Sequence, residues 1–266
     1  VEVYGPLSGD TVLLLLMAMY GLVQAARQWF RRLSEVLILK MGFKPSLADP
    51  CLMYRNDETG LCIILMYVDD NLIIGTDEAI AKTVQQMKEN FNVTVEDNTS
   101  DYLGCNVMMS ADKTCGWIGQ PHLYKNLRMR FEEIVNGPKL WKTPSSPGFH
   151  VVRPVNETDK VSEEIQNFFR RGVGMLLFLV KHSRPDLANC TRELSKVMDG
   201  AGEAHWKELK RAIKYALDTA DTGLRIMPNE QPWQLNAFSD ADFAGDKDSR
   251  ISVTGYVVYF MGVPVC

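Results

Sequence analysis

The sequence predicts an α+β chain: an antiparallel sheet packed by helices, then a mainly helical part, then a closing β segment. Three observations carry this. Two apolar runs, residues 61–66 and 72–74, flank the pair Asp69-Asp70, which is the pattern of a β-hairpin with its polar residues at the tip. Apolar residues recur at helical spacing over residues 26–41 and stop at Gly42. A Pro-, Ser- and Gly-rich stretch, residues 137–160, then separates this part from three further helical patterns.

Taken in order, residues 12–19 read as a buried strand leading into the Tyr20-Gly21 turn. That run is too short to span a bilayer and follows Glu2 and Asp10 rather than a basic region, so it is neither a transmembrane helix nor a signal peptide. After the helix over 26–41 and the hairpin, a second helix is expected over 78–91, strands over 102–109 and 115–118, and a helix over 120–135. Beyond the linker, helical patterns cover 162–181, 185–198 and 203–219, and from Trp233 onward strand and turn alternate. The expected domains are residues 1–118, 119–230 (including the linker 137–160) and 231–266.

A chain of 266 residues with 46% hydrophobic and 23% charged residues can bury a substantial core, and disorder is not the default. It opens on Val1 rather than Met and stops at Cys266 inside what reads as a strand pair, as an internal piece of a longer chain does. The six cysteines form no Cys-x-x-Cys pair and have no matching His pair, which favours reduced thiols in an intracellular protein over disulfides or zinc ligands. The net charge of −4 does not favour nucleic acid, but backbone affinity depends on local clusters of Lys and Arg. Arg27, Arg31, Arg32, Lys40 and Lys44 form one such cluster opposite an apolar stripe of Trp29, Leu33, Val36 and Leu37, and Lys207, Lys210, Arg211 and Lys214 form another. Solvated helix faces carry the same pattern, so phosphate binding is permitted by it and no more.

Asp69 and Asp70 repel one another, and no Lys or Arg lies between Arg55 and Lys82 to neutralise them locally. A hard divalent cation is the natural counter-charge; Mg²⁺, which keeps waters and borrows phosphate oxygens, needs only one or two protein carboxylates. An ordinary turn also favours Asp, and on the dipeptide alone the ordinary turn is the preferred reading.

The flanking residues decide between them. Tyr67-Val68-Asp69-Asp70 in an apolar hairpin resembles the palm signature of reverse transcriptases. Tyr20-Gly21-Leu22-Val23-Gln24-Ala25-Ala26-Arg27-Gln28-Trp29-Phe30 is similar to a segment of the copia-type LTR retrotransposon branch. In that family's order follow Gly42-Phe43, Asp49-Pro50-Cys51-Leu52, Tyr102-Leu103-Gly104, Ser183-Arg184-Pro185-Asp186-Leu187, His205-Trp206, Lys210-Arg211 and Ser239-Asp240-Ala241-Asp242. The resemblance runs from about residue 18 to the last residue. It implies a palm-like antiparallel sheet, then a helical thumb or connection region, then the truncated start of an RNase H-like domain.

By this resemblance the catalytic residues are Asp69, Asp70 and Asp240, with Asp69 and Asp70 as metal ligands for Mg²⁺ or, as an alternative, Mn²⁺. Strand alternation makes Asp69 the stronger ligand of the pair. Gln24 and Tyr67 are the nucleotide-binding residues, and Arg27, Arg31, Tyr102 and Gly104 the nucleic-acid-binding ones. The implied partners are an RNA template with its primer or DNA hybrid, deoxynucleoside triphosphates, and the neighbouring integrase and remaining RNase H domains of a polyprotein, with no membrane. The implied location is the cytoplasm, or a virus-like particle.

Three departures stand against full competence: the family's third palm aspartate has no counterpart, Val23 stands where the family usually has Lys, and Leu15 and Leu16 stand where it often has basic residues. The alternative is therefore a remnant that folds, or binds nucleic acid, without turnover. Asp240, Asp242, Asp246 and Asp248 start like a calcium loop, but Ala244 and Ile251 occupy its fifth and twelfth ligand positions, which rejects it. A Mg²⁺-dependent phosphatase built on Asp240 and Asp242 lacks a nucleophile context and ranks last.

Overall fold

The computed structural model describes residues 18–96, 102–138, 140–229, 233–246 and 250–265. All but the last two residues of the strand expected over 12–19 lie outside the described residues. The chain divides into two compact units, Val1–Asp97 and Asn98–Cys266.

The first unit comprises α1 (Ala25–Leu39), β1 (Lys44–Pro45), β2 (Leu52–Asp57), β3 (Gly60–Tyr67), β4 (Asp70–Gly75) and α2 (Asp77–Asn90). The strands form one sheet in chain order, each antiparallel to the next. In β3 the period of two is plain: Cys62, Ile64 and Met66 are buried, while Leu61 and Tyr67 are exposed and Ile63 and Leu65 half-buried. Leu33, Val36 and Leu37 of α1 and Ala79 and Met87 of α2 pack in the same core. Burial is worth about 1.5–3 kcal/mol for each large apolar side chain. At the start of α2 the Thr76 hydroxyl accepts the Ala79 N–H at 3.2 Å, and Asp77, Glu78 and, at the far end, Lys88 match the helix dipole.

β2 was not expected from the sequence, because the second of its residues that turn inward, after Met53, is an arginine. Arg55 is only 6% exposed and takes a core position beside Phe43, 4.7 Å from the ring centroid. Its guanidinium donates to the Met41 carbonyl (2.9 Å), Gln86 Oε1 (2.8 Å) and Thr83 Oγ1 (3.0 Å), and its Nε lies 3.1 Å from Asp57. The Thr59 hydroxyl and amide, then Lys82, hold the Asp57 carboxyl far below the usual carboxylate range. One buried cation thus ties the end of α1, the strand β2 and the helix α2.

The second unit opens with β5 (Asn106–Met109), β6 (Gly116–Gly119) and α3 (Pro121–Val135), and continues through α4 (Glu163–His182), α5 (Ala188–Ser195) and α6 (Glu203–Asp218). It then returns to the first of its sheets with β7 (Leu224–Ile226) and ends in β8 (Leu235–Ala241), β9 (Thr254–Phe260) and β10 (Val263–Pro264). β7 pairs with β6, giving the order β5-β6-β7; the other sheet runs β10-β9-β8. Three residues are too few for periodicity to announce β7. Phe131, Phe169, Leu176, Leu179, Leu194, Leu209 and Ile213 fill the helical core. Gly172 lets α4 close on α6, since a Cβ there would stand 3.0 Å from both Leu209 and Ile213. The single helix expected over 185–198 is a 3-10 turn, Pro185–Leu187, followed by α5.

Arg184 is the second buried cation, with no exposed surface. It grips Asp186 through two bonds of 2.9 Å, and donates to Tyr124 Oη (2.7 Å), the Thr219 carbonyl (2.9 Å) and Thr219 Oγ1 (2.8 Å). The ends of α3, α4 and α6 converge on it, which accounts for the Ser183-Arg184-Pro185-Asp186-Leu187 motif as packing.

The described residues of 137–160 are irregular apart from a 3-10 turn at Glu157–Asp159, yet several are held in place. Ser146 donates both N–H and hydroxyl to Glu208, Arg211 donates to Thr143 Oγ1 at 2.8 Å while stacking 4.0 Å over Trp141, and buried Glu193 accepts the Val151 N–H at 3.0 Å. The composition that suggests a linker is used for side-chain hydrogen bonds. Among the described residues no helix is long and apolar enough to cross a membrane.

Three outcomes follow from this packing. Arg184→Ala leaves Asp186 without its partner and is expected to lower stability by about 3 kcal/mol or more in urea unfolding followed by circular dichroism. His205 accepts the Gly202 N–H on Nδ1, and burial pushes its pKa below the ordinary 6.5, so the unfolded chain binds more protons there. Its stabilising contribution is complete above that value and is lost as the pH falls through it; a His205→Gln variant should show a flatter loss between about pH 7.5 and 5.5. Amides of β8 and β9 should exchange much faster than those of β3 and β4 in hydrogen-exchange mass spectrometry, because β8 is exposed at all but one residue while β3 lies in the core. Equal protection would show that the last sheet is a stable module.

Candidate active site

The register of β3 on β4 places Cys62 opposite Gly75 and Tyr67 opposite Asp70, so Val68 and Asp69 alone make the turn. Both carboxylates are exposed at its tip. Asp70 is the first residue of β4, whereas Asp69 lies outside the ladder. The alternation argument for preferring Asp69 therefore lacks its premise: pleating does not set the direction of a turn residue. Val68 has φ +52°, in the left-handed region where a β-branched side chain costs roughly 1–2 kcal/mol.

Two contacts from the chain upstream of α1 and from α1 itself reach this turn. The Tyr20 hydroxyl donates to Asp69 Oδ2 at 2.6 Å, and the Trp29 indole N–H donates to the Val68 carbonyl. Asn71 Nδ2 adds a bond of 3.3 Å to the Asp69 carbonyl. The Tyr20 hydroxyl, then the backbone, holds the Asp69 carboxyl below its ordinary range, and Asp69 raises the Tyr20 phenol in return. None of the ion pairs among the described residues includes Asp69 or Asp70. The turn thus offers hard carboxylate oxygen donors without a protein cation in an ion pair, a donor set that suits Mg²⁺ with most of its water retained.

Gln24 is exposed directly before α1, where its carbonyl accepts the Gln28 N–H at 3.0 Å and its side chain makes no cap. Arg27 and Arg31 are exposed on the helix, and Tyr67 is exposed at the end of β3. The segment from Tyr20 to Trp29 is therefore brought to the Asp69 turn, which sequence spacing could not reveal.

The remaining predicted residues belong to the second unit. Tyr102 and Cys105 exchange backbone bonds of 2.9 and 3.0 Å around Leu103 (φ +54°) and Gly104 (φ +75°), a two-residue turn with both central residues left-handed. Asp240 is exposed on β8 opposite Gly255 and its Oδ1 accepts the Ala241 N–H. Asp242 does not share a strand face with it, because β8 ends at Ala241 and the Asp242 carboxylate accepts the Val253 N–H at 2.7 Å. Asp246 pairs with Lys196 at 2.7 Å, and Asp248 lies outside the described residues. Among the described residues no group of three or more His, Cys, Asp or Glu side chains is arranged to hold a metal.

Comparison with known proteins finds similar sequences among retrotransposon polyproteins. The family described as "Reverse transcriptase (RNA-dependent DNA polymerase)" matches residues 8–118, which include the Tyr20–Trp29 segment and the Asp69 turn. The chain is 30% identical over 257 residues to "Retrovirus-related Pol polyprotein from transposon RE2" of Arabidopsis thaliana, covering 96% of this chain and 17% of that protein. It is 31% identical over 249 residues to the corresponding polyprotein from transposon RE1 of the same plant, covering 93% of this chain and 16% of the relative. The polyprotein from transposon TNT 1-94 of Nicotiana tabacum is 28% identical over 251 residues, with 92% and 18% covered. The chain thus spans less than a fifth of the length of each of these relatives. No solved structure matches it.

Proposed function

We propose that this chain, which belongs to the reverse transcriptase-bearing Pol polyproteins of copia-type retrotransposons, carries the hairpin carboxylates of an RNA-directed DNA polymerase. The observation that carries the reading is the pair of exposed, uncompensated aspartates on a turn between strands locked into a core. Asp69 and Asp70 would hold Mg²⁺, with Mn²⁺ as substitute. Bound there, the metal supplies Lewis-acid charge for activating a primer 3′-hydroxyl and neutralising the triphosphate of an incoming deoxynucleotide.

The chain's own groups do the rest. Asp69 and Asp70 supply negative oxygen donors, and the turn keeps them in water, within reach of a template and primer. Gln24 and Tyr67 would line the nucleotide, the Gln24 amide offering hydrogen bonds to its sugar. Arg27 and Arg31, exposed on α1, suit phosphate contacts that position nucleic acid without reading its sequence. Tyr102 and Gly104 would grip the primer strand, and Asp240 would be the first carboxylate of an RNase H-like centre. The palm, thumb and RNase H roles of the sheets and helices, a cytoplasmic or particle location, and association with integrase and the remaining RNase H domain belong to the same proposal.

A second reading has its own support. Val23 stands where the family usually has a basic residue, which weakens phosphate contacts, so a chain that binds nucleic acid without turnover fits as well. Primer extension on a primed RNA template with Mg²⁺ separates the two. A chain lengthened upstream to include the family's aspartate motif should extend the primer, and Asp69→Asn in it should lower the rate at least about a hundredfold. Extension by residues 1–266 alone would overturn this account of the metal site, and no extension by the lengthened chain would favour the remnant.

A further inference from the structure

At its left-handed position the hairpin turn lacks the residue that normally stands there. A two-residue connection between antiparallel strands favours Gly, Asn or Asp where φ is positive, and here the left-handed position is Val68. A strained, solvent-exposed turn persists only where something outside it holds it. Two bonds do so, both from the same upstream segment and both across long sequence separations. Tyr20 reaches Asp69 across 49 residues and Trp29 reaches Val68 across 39.

The two donors are not equivalent. Trp29 is half-buried and meets Phe91 edge to face at 5.4 Å, so packing at the end of α2 aims its N–H. Tyr20 is 87% exposed, and its hydroxyl takes a lone pair of Asp69 Oδ2 at 2.6 Å. While that bond stands, a cation can use Asp69 through Oδ1 but is hindered from chelating both oxygens. Mg²⁺ is small, octahedral and retains its waters, and a single carboxylate oxygen suits it. Ca²⁺ is larger and often takes a carboxylate in bidentate fashion.

We propose that Tyr20 and Trp29 are positioning residues for Asp69: the indole fixes the strained peptide, and the phenol restricts Asp69 to one-oxygen coordination, so that the turn selects Mg²⁺ and Mn²⁺ over Ca²⁺. This rests on the reading of Asp69 as a metal ligand. It assigns a task to the first and last polar side chains of the Tyr20–Trp29 segment, neither of which needs to touch substrate to perform it.

The test is Mn²⁺ binding to the 266-residue chain by electron paramagnetic resonance, with Mg²⁺ and Ca²⁺ as competitors. Asp69→Asn should weaken Mn²⁺ binding; if Mn²⁺ fails to bind, or binds equally to that variant, the metal reading falls and this proposal with it. If the metal reading holds, Tyr20→Phe should raise the affinity for Ca²⁺ relative to Mg²⁺ by roughly 3- to 10-fold, the range of one hydrogen bond. A merely structural role for Tyr20 would weaken both ions alike, and an unchanged ratio would overturn the selectivity while leaving the metal site intact. Trp29→Phe keeps the contact with Phe91 but removes the N–H. It should speed exchange of the turn amides severalfold, and adding Val68→Gly, which relieves the positive φ, should cancel that change. Unaltered exchange in Trp29→Phe would show that the indole does not hold the turn.

Discussion

Cys62, Ile64 and Met66 lie on one side of β3 and are packed in the core with α1 and α2, and this burial is what the candidate site depends on. Side chains alternate along a strand, so slipping β3 by one residue would carry all three into water and bring Leu61, Ile63, Leu65 and Tyr67 inward. Both faces of β3 are apolar, so its register rests on how Cys62, Ile64 and Met66 fit against the two helices and on its pairing with β2 and β4. Once it is fixed, Tyr67 must end the strand on the outer side and the turn must fall at Val68 and Asp69. The burial further along the same strand sets where the carboxylates fall, and the bond from Tyr20 then fixes how Asp69 is turned.

The long periodic elements were legible in the sequence because one face of each is apolar. The helix expected over 78–91 is observed as Asp77–Asn90, that over 162–181 as Glu163–His182, and that over 203–219 as Glu203–Asp218. What escaped notice has a physical cause in each case. β2 hides its alternation because the inward residue Arg55 is charged and becomes compatible with burial only through Met41, Gln86 and Thr83, which are distant in sequence. Residues 137–160 have the composition of a flexible connection, and only the helices they meet turn their hydroxyls and amides into fixed contacts. The Asp69-Asp70 pair could be found by its apolar flanks, but the hydrogen bond from Tyr20 could not, because no local spacing rule links residues so far apart.

Both units use a buried arginine as a junction. The guanidinium carries five N–H donors in a fixed plane, and at Arg55 and Arg184 those donors reach side-chain oxygens and free carbonyls at the ends of helices. Lysine could match the charge in either place but not the fork. Such a centre is specific rather than cheap, since most of its gross attraction offsets desolvation. Its effect is to make the relative placement of several helix ends one decision instead of several.

The meander of the first unit also has a kinetic meaning. β2 pairs with β3 and β3 with β4 through tight turns, so the loops that must close are short and little chain entropy stands in the way. The bonds from Tyr20 and Trp29 to the turn span far longer loops. The hairpin can therefore form from nearby residues before those bonds exist, with the left-handed peptide at Val68 free to sample other conformations until the upstream segment docks. Completion of the core, rather than formation of the hairpin, would then be the step that gives the carboxylates a single orientation.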